Sequence, residues 1–107
     1  MESFGKYIKR LRNEKGLNQT ELAVQIKLDG GGMSKVENDK KPLNEERLIL
    51  LSKALCVDEE QMKKQYLSDQ FARKSVKYNV SENVFELAEH KSKYYKSINV
   101  KQGKFAI

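Results

Sequence analysis

The sequence predicts an all-α protein, on two observations. Apolar residues recur at three- and four-residue spacing in short successive segments, and helix-capping residues stand just ahead of several of them. Phe4, Ile8 and Leu11 share inward spacing over residues 4–14. Asn18 caps the next segment with Glu21 three places on, a capping box that satisfies two otherwise orphaned backbone donors, and Leu22, Ala23 and Ile26 fall on one face. Asp29 caps a third segment, in which Met33 and Val36 form an apolar stripe while Ser34 and Lys35 project from the other side. Leu48, Leu51 and Leu55 point inward from a fourth, Asn44 to Leu55, and residues 57–62 begin a fifth.

The second and third segments read as a helix-turn-helix. Two helices meet at a steep angle only where the side chain between their axes is very small, and Ala23 is that residue, while Leu28 fills the inside of the turn. A second helix buried on one side only, behind such a turn, points to DNA.

The run Leu-Asn-Gln-Thr-Glu-Leu-Ala at 17–23, with Leu-Asp-Gly-Gly-Gly-Met-Ser-Lys-Val-Glu-Asn at 28–38, resembles the phage repressor and Cro family of XRE-like helix-turn-helix regulators. Residues 4–14 look like that family's first helix, Asn44–Leu55 like its fourth and residues 57–62 like the start of its fifth. The resemblance therefore implies a lambda-repressor-like five-helix DNA-binding domain over residues 1–65, about the length of the smallest domains that fold alone. Position by position, it implies that Asn18 and Gln19 hold the phosphate backbone and that Asn38, Lys40 and Lys41 lie in the loop that grips it across the groove. It also implies that Arg12 and Glu37 form a charged pair tying the first helix to the end of the recognition helix; two separate solvated charges are the alternative. Lys35 joins Lys40 and Lys41 in a basic cluster, for which phosphate contact is favoured over ordinary solvation.

The departure from the family is at Gly30, Gly31 and Gly32, where it places the side chains that read base edges. Glycine has nothing to read with, and three in a row cost the helix about 1 kcal/mol each relative to alanine. Direct reading falls mainly to Ser34 and Lys35. Three explanations stay open: close docking of bare backbone with readout of DNA shape, a weakening of specificity, or neutral drift. Two smaller departures follow. Asp39 and Cys56 stand where the family usually has glycine; Asp39 suits a left-handed turn moderately well, and Cys56 is expected to be a small buried side chain.

Composition is consistent with these readings. The 107 residues hold no apolar run approaching a membrane span, no secretory signal, and one cysteine, which suits a reducing cytoplasm. Residues 1–62 carry 11 Lys/Arg against 11 Asp/Glu and residues 63–107 carry 10 against 4, so the net +6 lies outside the motif. A neutral domain still presents a basic face when its charges are segregated.

Past residue 62 the pattern stays helical. Asp58 caps a segment with Gln61 at the capping-box position, and Met62, Tyr66, Phe71 and Val76 lie at roughly helical spacing up to Lys77, before Asn79 interrupts. Ser81 then caps a last helix to about Ser97, with Glu82, Glu86 and Glu89 early and Lys91, Lys93 and Lys96 late, as the helix dipole favours. Val84, Leu87, Ala88 and Tyr94 make one stripe, with Phe85 and Tyr95 beside it. A lone helix of that length is unstable in water, so the stripe packs either on the chain's own core or on a second copy; the dimer is favoured, with Phe71, Val76, Val84, Phe85, Leu87 and Tyr94 as its interface. This extension, residues 66–98, also resembles more faintly that of small regulators encoded beside restriction-modification methyltransferases, through Gln-Tyr-Leu-Ser-Asp at 65–69 and Ala-Glu-His-Lys-Ser-Lys-Tyr at 88–94. Residues 99–107 read as a flexible tail.

Enzymatic readings find no support. His90 has no second His or Cys to complete a metal site, and Gly-Gly-Gly followed by Met33-Ser34-Lys35 lacks the order of a phosphate-binding loop. No cofactor, metal or small-molecule ligand is expected. The function expected is a cytoplasmic, homodimeric transcription regulator of double-stranded DNA, controlling a restriction-modification operon; the alternative is an antitoxin that uses its first domain on DNA and its last helices on a toxin.

Overall fold

The structure, a computed structural model, describes residues 1–81 and 83–102. Among these are six α-helices and no strand: α1 (Phe4–Glu14), α2 (Gln19–Gln25), α3 (Gly30–Glu37), α4 (Glu45–Leu55), α5 (Glu59–Lys77) and α6 (Asn83–Gln102). The expected caps are present at the starts of α2 to α5. The Asn18 side chain accepts from the Glu21 N–H at 2.8 Å while the Glu21 carboxylate accepts from the Asn18 N–H at 2.8 Å, a complete capping box. Asp29 accepts from Gly32, Asn44 from Arg47 at 2.9 Å, and Asp58 from Gln61 at 3.1 Å.

The chain divides into two compact units, Met1–Phe71 and the part from Ala72 onward. In the first, Ile8, Leu22, Ile26, Met33, Leu51 and Met62 are fully enclosed, with Phe4, Ala23, Val36, Leu43, Leu48, Leu55 and Tyr66 around them. Leu11 and Leu28 are half-buried, packed on this core from its margin. Tyr66 was expected just past the domain boundary, yet it is a core residue here. Its ring meets Phe4 edge-on at 5.0 Å between centroids, and its hydroxyl accepts the buried N–H of Leu43 at 3.0 Å. A buried backbone donor in the loop before α4 is satisfied from α5, which fastens that loop.

Among the described residues, four turns use a left-handed residue other than glycine: Lys27 (φ 60), Asp39 (φ 61), Cys56 (φ 56) and Asn79 (φ 54). Cys56 corrects an expectation. It is exposed, not buried, because it forms the C-cap of α4 in the left-handed region and its side chain points out of the turn.

The second unit contains the end of α5 and all of α6. Asn79 makes the exit turn of α5, with its N–H on Val76 O and the Val80 N–H on Ser75 O, both at 3.1 Å. The helix α6 begins at Asn83, two residues after Ser81, and residue 82 lies outside the described residues. It runs to Gln102, past the end expected near Ser97, which makes residues 99–102 helical; residues 103–107 lie outside the described residues. Of its apolar residues Leu87, Phe85, Tyr94 and Tyr95 are exposed in the single chain, as is Val76 at the end of α5, while Val84 and Ala88 are half-buried; Phe71, on α5 in the first unit, is half-buried too.

Candidate nucleic-acid interface

The site is built on the turn between α2 and α3. Ala23 is 1 % exposed, and its carbonyl accepts the Leu28 N–H at 2.9 Å across the left-handed Lys27, which closes α2 and turns the chain into α3. The Arg47 guanidinium of α4 braces the outside of the turn through Nη2 on Lys27 O at 3.1 Å. Lys27 is itself engaged, with Nζ 3.0 Å from Glu46 Oε1.

Along α3, Gly32, Met33, Val36 and Glu37 face inward, Ser34 and Gly30 are half-buried, and Gly31 and Lys35 are exposed. The three glycines are not equivalent. A Cβ at Gly30 or Gly31 would find only ordinary contacts, 3.7 Å to Thr20 Oγ1 and 3.6 Å to Asp29 Oδ1, whereas one at Gly32 would press to 3.0 Å on the Asp29 oxygen that caps the helix. Side chains are therefore absent at Gly30 and Gly31 where there is room for them.

Behind α3 lies a polar network. The Arg12 guanidinium grips the Glu37 carboxylate with Nε to Oε2 at 2.6 Å and Nη2 to Oε1 at 3.1 Å, and Nη1 donates to Leu17 O at 2.8 Å. Both side chains are buried, at 9 % and 2 % exposure, so the two charges balance each other out of water. The hydrogen bond to Glu37 holds the Arg12 pKa above the usual guanidinium value. Gln19 joins the network, its Nε2 donating to Glu37 Oε1 at 3.0 Å. A carboxylate only accepts, so the amide nitrogen must face it, and one N–H remains for an outside acceptor. Sequence reasoning missed this contact, since nothing local to Gln19 signals a partner 18 residues away.

The exit from α3 completes the site. Asn38 turns its amide back on the helix, Nδ2 donating to Ser34 O at 2.9 Å, and Asp39 reverses the chain. Lys40 is exposed and Lys41 half-buried. Lys35, Lys40 and Lys41 have no acidic partner among the described residues, unlike Lys27 and Lys63, which sit against glutamates. No group of three or more His, Cys, Asp or Glu able to hold a metal is found among the described residues.

A short helix pair crossing over a small residue, with the second helix open on one side and flanked by amides and cations, defines a DNA-binding helix-turn-helix protein. The chain belongs to the helix-turn-helix family HTH_3, whose pattern matches residues 8–62, and it is a DNA-binding transcription regulator of the XRE/repressor type. Among solved structures it is similar to the restriction-modification controller protein C.AhdI from Aeromonas hydrophila, at 29 % identity over 55 % of this chain and 89 % of that one, with a TM-score of 0.51. It is similar also to the restriction-modification controller protein C.Esp1396I, at 28 % identity over 64 % of this chain and 90 % of that one, TM-score 0.50. The complex of SinR protein with SinI protein shares the fold, at 23 % identity over 88 % of this chain and 98 % of the matched chain, TM-score 0.52. No curated protein sequence matches the chain. No helix among the described residues is long and apolar enough to cross a membrane.

Proposed function

We propose that the chain is a cytoplasmic homodimer that holds double-stranded DNA mainly through its phosphates, selects weakly among base sequences, and regulates a restriction-modification operon. The observation that carries this reading is the face of α3: Gly30 and Gly31 offer bare backbone where base-reading side chains have room to stand, while Lys35, Lys40 and Lys41 lie on the same helix and its exit loop with no acidic partner among the described residues. Asn18, Gln19 and Asn38 add amide groups for the backbone, Gly32 keeps the helix start tight, and Ser34 with Lys35 supply what direct reading there is. The operon rests on likeness to the two controller proteins. The dimer rests on Val76, Phe85, Leu87 and Tyr94, apolar and exposed in the single chain, with Phe71 and Val84 beside them in the proposed interface.

Salt titration of DNA binding tests the reading. Affinity should fall steeply with salt, and Lys40→Ala or Lys41→Ala should each flatten the slope by about one unit, equally on unrelated sequences. A specific to non-specific ratio above about a thousandfold at fixed salt would overturn weak selectivity. Light scattering should give twice the 12.4 kDa of one chain. The same exposed apolar residues suit the rival reading, an antitoxin; a chain that is monomeric alone and captures a small toxin would move the conclusion there.

A further inference from the structure

Asp39 opens the loop that carries Lys40 and Lys41, and its surroundings differ from those of an ordinary loop residue. Its backbone is left-handed, a conformation that favours glycine, and its carboxylate reaches back to the other end of the sequence: Oδ1 accepts the N–H of Gly5, 34 residues earlier, at 2.8 Å. Gly5 is the second residue of α1, so that N–H is one of the donors a helix start leaves without an intrahelical partner. Ser3 takes the next one, from Lys6, at 3.2 Å, and Asp39 takes this one from outside the helix. The approach depends on glycine at position 5, where a Cβ would collide with the Glu37 carbonyl and come within 2.7 Å of Asp39 Oδ1. On the α3 side the Asp39 N–H donates to Val36 O at 3.1 Å and the Lys40 N–H to Lys35 O at 2.7 Å, so the first turn of the loop is fixed on both sides.

We infer that Asp39 is a positioning residue for the DNA grip: its carboxylate ties the Lys40–Lys41 loop to the start of α1, so that the two ammonium groups are presented in one arrangement. The inference rests on the DNA-binding reading above. Glycine would satisfy the left-handed turn with less strain but would leave the Gly5 N–H untied. A carboxylate beside DNA phosphates is also repulsive. Charge alone therefore says that removing it strengthens binding, and position says the opposite, which makes the sign of the effect decisive.

The test compares Asp39→Asn with Asp39→Gly in the full chain, on a fluorescein-labelled mixed-sequence duplex at fixed salt. Both variants lose the same charge, and only Asp39→Asn keeps an oxygen that accepts the Gly5 N–H in a residue tolerant of the left-handed region. Asp39→Asn should bind at least as tightly as the parent, and Asp39→Gly about five- to tenfold more weakly than Asp39→Asn, the scale of one hydrogen bond to a held loop. Equal binding by the two variants would overturn the inference. Hydrogen exchange at the Gly5 amide, measured without DNA, gives the separate check: protection should persist in the parent and in Asp39→Asn and fall at least tenfold in Asp39→Gly. Unchanged exchange would show that the tether is absent whatever the DNA result. A parent that binds no DNA but keeps a protected Gly5 amide would overturn the grip and the function reading together, while leaving the tether itself standing.

Discussion

The two units of this chain use the same helical spacing to opposite ends. In the first, Leu22, Met33, Leu51 and Met62 at that spacing are enclosed completely; in the second, Leu87 and Tyr94 at that spacing are open to solvent in the single chain, and so is Phe85 beside them. Periodicity fixes which residues share a face. It does not fix what covers that face, because the covering surface comes from another element or another molecule.

The largest effect should come from the ion pair inside the first unit. Glu37→Ala leaves the Arg12 guanidinium buried without its partner, so thermal melts should show a loss of about 3–5 kcal/mol, and Arg12→Ala a similar one. The double variant should lose less than the two singles combined; strict additivity would mean the charges act independently, and the interior of the first unit would then be no more cooperative than the surface of the second.

Truncating one leucine in each unit sharpens the contrast. Leu51→Ala should cost about 2–5 kcal/mol at any protein concentration, since it empties space inside an enclosed core. Leu87→Ala should leave the stability of dilute protein within about 0.5 kcal/mol of the parent and weaken self-association at higher concentration. A concentration-independent loss at Leu87 matching that at Leu51 would break the comparison, because it would make Leu87 a core residue of its own chain.

The smallest effect belongs to the recognition helix. Gly31→Ala meets only an ordinary contact, 3.6 Å to Asp29 Oδ1, and should stabilise the domain by about 1 kcal/mol, read as a raised melting temperature, without altering self-association. No gain would mean that the first turn of α3 is already held as firmly by the Asp29 cap as alanine could make it.

Much of the first unit was legible from the sequence for a local reason. Caps such as Asn18 with Glu21, and the small Ala23 between axes, act over a few residues, so their signal survives in a one-dimensional reading, and the expected helices at 4–14 and 44–55 match α1 and α4. What stayed hidden depends on distant partners. Gln19 on Glu37, Gly5 on Asp39 and the Tyr66 hydroxyl on Leu43 each join residues 18 or more apart, and no pattern near either end announces them. Cys56 failed for a different reason: its residue type favours burial, but the cap position it occupies demands a left-handed backbone, and position overrode type. The end of α6 misled for another reason: Asn99, a residue type that often closes helices, lies inside it, and the helix runs past it to Gln102.

The left-handed turns carry an evolutionary consequence. At Lys27 and Asp39 the strained residue has a task, pairing with Glu46 or holding Gly5, and exchange for glycine would remove it. Cys56 is exposed and closes its turn with backbone atoms alone, and asparagine at position 79 is already among the better-tolerated types. Cys56→Gly is thus an accessible gain of roughly 1 kcal/mol that selection has left unused, as expected of a protein kept just above the stability it needs and not driven to the most stable sequence its fold allows.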